Sequence, residues 1–192
     1  MNKKMDYPWK KYYIDMKESF EYEDVSMYEM VRKSSEKYPK SIAYSYYGTK
    51  VTYKKFIKKI DEVSSSFSKL GVRKKTNVTI CMPNTPEAII SVYALNKIGA
   101  LINIVHPLSS EEELKYALNL TNAEYLLVID MAFGKIHNIL KEVNLKKIIW
   151  ASVSESMDTT TKFGYFFTKG IKITTPYGDN VISWSDFNSF NK

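Results

Sequence analysis

Between Val78 and Ala151 the sequence switches repeatedly between two kinds of stretch. Short apolar runs at Val78 to Met82, Ala100 to Val105, Tyr125 to Ile129 and Lys147 to Ala151 are separated by segments long enough for a helix. Two strands joined through a helix cannot close as a hairpin, so they must lie parallel, with a right-handed crossover. The first two runs are continuously apolar, as expected of strands covered on both faces. Four strand–helix alternations predict an α/β fold: a doubly wound, mainly parallel sheet with helices on both faces.

Local capping chemistry sets the element ends. Thr85 stands at an N-cap. Pro86 takes the first helical position, where a missing N–H forfeits nothing, and Glu87 complements the helix dipole. Gly99 closes that helix. Ser109 or Ser110 caps the next one, which runs to about Asn119 with Glu111, Glu112 and Glu113 in its first turn, and a further helix is expected from Phe133 to Val143. Upstream, Ser26-Met27-Tyr28-Glu29 has the capping-box pattern, with Ser26 accepting from the third helical amide and Glu29 reaching back. That helix should run to about Lys37, before Pro39. Ile42 to Tyr46 and Val51 to Tyr53 flank Tyr47-Gly48-Thr49-Lys50 and read as an N-terminal β-hairpin. Thr52 then caps a long helix whose Phe56, Ile60, Val63, Phe67 and Leu70 form one buried stripe, and Gly71 stops it.

After Ser152 the regularity breaks. SESMDTTTKFGYFFTKG reads as a loop or insertion, with residues 154 to 170 expected to be mobile or interfacial. Ile171 to Thr175 and Val181 to Trp184 read as two short strands around Pro176-Tyr177-Gly178-Asp179, and no closing element is visible beyond them. The expected organisation is an N-terminal arm over 1–25, an α/β subdomain over 26–152, and a loop or insertion with an incomplete continuation of the same domain over 153–192.

Composition narrows the function classes. The chain of 192 residues is 44% hydrophobic and 26% charged, which suits a globular body with a proper core. No apolar run approaches the roughly 18 residues of a membrane helix, and the N-terminus lacks the apolar stretch of a secretory signal. Cys81 is the single cysteine, so no intrachain disulfide forms, which fits a cytoplasmic setting. Net charge is +7, but Arg32 and Arg73 are the only arginines among 28 basic residues. Lysines scattered along the chain, with almost no Arg for bidentate base contacts, read as solvated helix faces, so no nucleic-acid partner is expected.

Candidate chemistry is sparse. None of the seven glycines is spaced as G-x-G or sits in a Walker-type phosphate loop. His106, His137 and one cysteine make no metal cluster, and no catalytic residue or metal ligand is assigned. His106 and Asn84 each follow the C-terminal end of a strand, where open α/β sheets bind ligands, and they are the two substrate-binding candidates. The plainer reading of both is a turn residue: His106 before Pro107, and Asn84 supporting the next cap. Glu111 to Glu113 read as dipole partners, and Cys81 as packing. Ser64-Ser65-Ser66 lies within a helix without a nucleophile-elbow pattern.

From Val51 to Asp130 one series of short motifs stands in order: Thr52-Tyr53, Leu70-Gly71-Val72, Met82-Pro83-Asn84-Thr85-Pro86-Glu87, Lys97-Ile98-Gly99-Ala100, His106-Pro107-Leu108 with Glu113-Leu114, and Asn122-Ala123. In their order and spacing these resemble the N-terminal part of the adenylate-forming enzymes, the family of acyl-CoA synthetases, luciferases and peptide-synthetase adenylation domains. Pro8-Trp9 and Tyr12-Tyr13, followed by Ser26, resemble the start of long-chain fatty acid–CoA ligases. His106 departs from the pattern, since most members carry Asn or Asp before the Pro.

The resemblance implies a full enzyme that joins a carboxylic acid, here a fatty acid, to AMP with loss of pyrophosphate and then passes the acyl group to CoA, using ATP, CoA and Mg²⁺. In that family the phosphate loop follows the part that Val181 to Phe190 resembles. The chain is therefore expected to be the N-terminal portion of an acyl-CoA synthetase, inactive alone and holding no cofactor. The alternatives are an adenylation domain that loads a carrier protein, and a non-catalytic α/β binding or scaffold domain. The resemblance leaves room for a homodimer. It also leaves room for a peripheral membrane contact, to which Phe163, Tyr165, Phe166 and Phe167 between Lys162 and Lys169 point.

Overall fold

A computed structural model describes residues 7–13, 20–168 and 177–190. After a 3-10 turn at Pro8–Tyr12 the elements are α1 (Met27–Lys37), β1 (Ile42–Tyr46), β2 (Thr49–Thr52), α2 (Tyr53–Leu70), β3 (Asn77–Cys81), α3 (Pro86–Ile98) and β4 (Leu101–Ile104). They continue with α4 (Glu111–Leu120), β5 (Tyr125–Ile129), α5 (Phe133–Ile139), β6 (Lys147–Ala151), α6 (Thr159–Thr168), β7 (Val181–Ser183) and α7 (Trp184–Ser189). β1 and β2 form an antiparallel hairpin. The other five strands make one sheet in the order β4-β3-β5-β6-β7, with every pair parallel.

The chain steps one way from β3 to β4 and the other way from β5 onward. Right-handed crossovers in opposite directions place their helices on opposite faces. α3 packs with α1 and α2, and α7 packs with α2, whereas α4 packs with α5. All five residues of β5 are buried between the two helix layers. Burial of each such side chain contributes about 1.5–3 kcal/mol.

Helix α2 follows its sequence pattern. Thr52 Oγ1 accepts from the Lys55 amide, Phe56, Ile60, Val63 and Phe67 are buried, and Gly71 closes the helix at φ 106°. The Tyr125 hydroxyl donates to the Leu70 carbonyl at 3.2 Å. A Cβ on Gly71 would lie 3.0 Å from that hydroxyl, so glycine is needed there for space as well as for φ. Three helices meet at Asp61, whose Oδ1 accepts from the Tyr28 hydroxyl at 2.8 Å and from Lys97 Nζ at 2.7 Å. The Tyr28 amide also donates to Asn96 Oδ1 at 3.0 Å.

Several expectations need correction. Glu29 does not reach back to Ser26. Its carboxylate takes Arg32 Nε at 2.8 Å, a charged donor one turn away, while Ser26 still accepts from the Glu29 amide. The hairpin turn is two residues, Tyr47 at φ 46° and Gly48 at φ 84°, because paired positive φ values match the twist of the flanking strands. β4 is an edge strand with Leu101 and Ile104 exposed, so it is not covered on both faces.

The third helix after β3 stops at Ile139 and runs into a 3-10 turn, Leu140–Glu142. Within the stretch read as a loop, residues 159–168 are the helix α6. Asp158 Oδ1 caps it by accepting from the Thr160 and Thr161 amides at 3.0 Å each. The strand expected to end at Trp184 ends at Ser183. Ser183 caps α7, which closes the described fold with Trp184 and Phe187 buried. The expected strand Ile171 to Thr175 lies outside the described residues.

Gly99 and Gly134 separate backbone strain from space. Gly99 has φ 79°, and a Cβ there would meet Lys74 Cγ at 3.3 Å; Gly134 has helical φ and nothing within 4 Å. Gly99→Val should cost about 2 kcal/mol through left-handed strain. Gly134→Val should shift stability by well under half of that. Urea midpoints of the two variants check this, and equal shifts would contradict the assigned helix end.

Candidate functional site

Strand order reverses between β3 and β5, and in open α/β sheets ligands bind outside the carboxyl ends of the strands at such a point. Met82-Pro83-Asn84 leaves β3, His106 follows β4, Asp130 follows β5 and Ser152 follows β6. Thr85 fixes the start of α3, with Oγ1 accepting from the Ala88 amide at 3.4 Å. Asn84 just before it is exposed, and its side chain makes no hydrogen bond among the described residues. His106 is exposed too, but its Nδ1 accepts from the Leu108 amide at 3.1 Å, and its carbonyl accepts from the Ser109 amide at 3.0 Å. The ring therefore braces the turn before α4, as the side-chain oxygen of an Asn or Asp would. The two sequence candidates stand at the ends of neighbouring strands, and no hydrogen bond joins them.

Two carboxyls that sequence reasoning passed over lie at the same end of the sheet. Asp130 is buried, and Oδ1 accepts from the Met131 amide at 2.7 Å. Burial pushes its carboxyl above the usual range, against a hydrogen bond from Ser152. Glu87 is 1% exposed. Its Oε1 accepts from the Ser156 hydroxyl, and Oε2 has no partner among the described residues. Burial raises its carboxyl as well, with the Ser156 bond opposing. The helix dipole that Glu87 was expected to complement favours the anion, but desolvation outweighs it here.

Two tyrosines of the hairpin feel this carboxyl. The Tyr44 phenol is pushed up to about 12 by burial and then by Glu87. Tyr46 is raised by burial first and then by Glu87, and its hydroxyl donates to the Val153 carbonyl at 2.8 Å. A small cavity of about 80 Å³ beside Glu87 is lined by Lys59, Glu62, Ser156, Trp184 and Asn188 among others. A larger one of about 440 Å³, lined by Asn77, Asn122 and Lys146 among others, opens at the amino ends of the strands, away from the crevice. Burial pushes the Cys81 thiol up to about 11, so it stays protonated at neutral pH and is a poor nucleophile.

These groups do not fit a nucleoside triphosphate with its Mg²⁺. Phosphate cradles present backbone amides at glycines. Among the described residues the glycines with positive φ sit in the hairpin turn, at the ends of α2 and α3, and before β7. Among the described residues no three His, Cys, Asp or Glu side chains are grouped to hold a metal ion. The crevice offers an exposed carboxamide, a braced imidazole and two buried carboxyls, a set suited to positioning the strand ends. Asp130 had a legible signal, a carboxylate ending the apolar run Tyr125 to Ile129. Glu87 had none, because a first-turn glutamate reads the same whether exposed or buried.

A family model described as AMP-binding enzyme matches residues 31–165. The long-chain-fatty-acid–CoA ligase of Bacillus subtilis is 23% identical over 167 residues, which cover 86% of this chain and 30% of that protein. Acetyl-coenzyme A synthetase 1 of Saccharomyces cerevisiae is 31% identical over 84 residues, 43% of this chain and 12% of the yeast protein. Among solved structures, a long-chain-fatty-acid–CoA ligase from Archaeoglobus fulgidus matches with a TM-score of 0.65 at 23% identity, over 73% of this chain and 31% of that one. At that identity the likeness speaks for the fold. The chain spans 30% and 12% of the length of these two curated relatives.

Glu87 gives a pH test. Its folded carboxyl holds its proton above the ordinary value of 4.5. The stability it contributes is fully present below that value and is lost as pH rises through the raised folded one. Glu87→Gln should therefore be more stable than the wild type at neutral pH, with the difference vanishing in acid, as read by denaturant unfolding between about pH 4 and pH 8. A difference that does not change with pH would contradict the buried carboxyl. For the turn, His106→Asn should match the wild type in the same assay, while His106→Ala should lose about 0.5–1 kcal/mol.

Proposed function

Because the chain belongs to the AMP-binding enzyme family, we propose that it is the N-terminal part of an ATP-dependent acyl-CoA synthetase that acts on a fatty acid. The observation that carries the substrate class is the extent of likeness to the Bacillus long-chain-fatty-acid–CoA ligase, 86% of this chain, against 43% for the yeast acetyl-coenzyme A synthetase. The whole enzyme would convert the carboxylate to acyl-AMP, release pyrophosphate, and transfer the acyl group to the thiol of CoA. Mg²⁺ would shield the ATP phosphates.

Within such an enzyme these residues supply the platform. The Thr85 cap and the His106 turn fix the ends of β3 and β4, and the buried Asp130 and Glu87 hold the segments beyond β5 and β6 in place. Asn84 is an exposed side chain at the crevice that makes no hydrogen bond among the described residues, which leaves it available to a substrate. Adenylation needs donors held around the phosphates where charge develops. The described residues do not provide them, so on this reading they come from sequence outside the 192 residues, and the chain alone is inactive.

Acid-dependent pyrophosphate exchange tests this, run on the 192-residue chain and on a longer chain continuing through the following codons. The short chain should show no exchange. The longer one should show it, with long-chain acids preferred over acetate. Exchange by the short chain would overturn the platform reading and make Asn84 and His106 the first residues to replace. A preference for acetate would overturn the fatty-acid reading.

A further inference from the structure

Beyond β6 the chain leaves the sheet through residues 152–158, which belong to no strand or helix. Tight turns shape this segment: the Glu155 amide donates to the Ser152 carbonyl at 3.0 Å, and the Met157 amide to the Ser154 carbonyl at 3.2 Å. Its near end is fastened where Ser152 bonds to Asp130 and the Tyr46 hydroxyl reaches the Val153 carbonyl. Its far end is fastened where the Ser156 hydroxyl donates to Glu87 Oε1, in the first turn of α3. Asp158, just after, caps α6. The Glu87 contact therefore fixes where α6 starts, at the carboxyl end of the sheet.

Glu87 is the part of this fastening that a proton can change. It is 1% exposed, and Oε2 has no partner among the described residues; the hydroxyls of Tyr44 and Ser91 have none there either, so neither serves it. The groups facing it are mixed in sign. Tyr44 and Tyr46 come from β1 and Glu155 from the turn. Lys59 and Glu62 come from α2, on the wall of the adjoining cavity of about 80 Å³, and Asn188 comes from α7. α1 meets α3 at its other end, around Asn96 and Lys97. Lys59 and Glu62 offset each other, and Glu155 disfavours a second anion nearby. A neutral carboxyl is tolerated in this place. An anion with a single hydroxyl donor is not, and it gains by reaching water. Ser156 forms part of the cavity wall, so water reaches Glu87 when the turn moves away. We propose that Glu87 is a proton-controlled latch: with its proton it holds residues 155–158, and with them the start of α6, against α3, and without it the turn is released. The latch does not depend on the adenylation reading.

Hydrogen exchange on the 192-residue chain tests this, read between about pH 5 and pH 8 and corrected for intrinsic exchange. Burial holds the Glu87 carboxyl above its ordinary value of 4.5. The latch is therefore closed below that value and opens as pH rises through the raised folded one. The Glu155 and Met157 amides should exchange faster than Leu127 of β5 at every pH, which marks local opening, and their protection should fall about tenfold over the range. Glu87→Gln should hold that protection constant, because a carboxamide fills the same space without titrating. Asp130→Asn should keep the wild-type fall. Carbon-13 NMR of the wild-type Glu87 carboxyl should give the same midpoint as the loss of protection, and it carries the test if Glu87→Gln does not fold. Wild-type protection independent of pH, the same fall in Glu87→Gln, or a carboxyl midpoint apart from that of the protection would overturn the proposal. So would exchange of the Glu155 and Met157 amides only together with Leu127, or a fall abolished by Asp130→Asn, which would assign the effect to the other carboxyl.

Discussion

Strand β5 is the constraint on which the rest of the architecture depends. Every residue from Tyr125 to Ile129 is buried, and the strand lies between β3 and β6 with parallel neighbours on both sides. A strand so placed needs cover on both faces. Right-handed crossovers give that cover only if the chain travels in both directions across the sheet. The order β4-β3-β5-β6-β7 follows, and with it the reversal between β3 and β5 that opens a crevice at their carboxyl ends. At its amino end the same strand is tied to α2, through the Tyr125 hydroxyl and the space that Gly71 leaves for it.

Burial, rather than charge, holds this body together. The Lys97–Asp61 pair is 36% and 44% exposed at its two side chains, and pairs of that kind are worth about 0–1 kcal/mol. The aromatic run Tyr44, Phe56 and Tyr93 packs edge to face at 5.4 and 5.6 Å and joins the hairpin to α2 and α3. The buried carboxyls of Glu87 and Asp130 act differently. Each resists ionisation and holds a short segment in one place, so their contribution is to the position of the strand ends.

Local chemistry was legible in the sequence, and tertiary placement was not. The Thr52 and Thr85 caps and the left-handed Gly71 and Gly99 depend on a few neighbouring residues, and their patterns can be read directly. The capping box read at Ser26 and Glu29 does not form, and the one that does, Ser110 with Glu113, stands where the sequence alone leaves the cap open between Ser109 and Ser110. The exposure of β4 could not be read, because Leu101 to Ile104 is as apolar as a central strand and only the strand order puts it at an edge. α6 was hidden by its β-branched, threonine-rich start, although Asp158 is a sound cap. In the crevice, the positions of Asn84 and His106 followed from the strand ends. The brace that His106 gives its turn depends on a backbone geometry that no spacing encodes.

The central claim is that the described residues form a self-supporting sheet-and-helix platform whose stability is centred on β5. Native-state hydrogen exchange measures that directly. The account predicts that the amides of Leu126, Leu127 and Val128 exchange only through global unfolding, together with those of Ile80 and Ile149 on the neighbouring strands, while amides of α6 and of the β1–β2 hairpin exchange earlier through local opening. Exchange of the β5 amides as fast as those of α6 would contradict it.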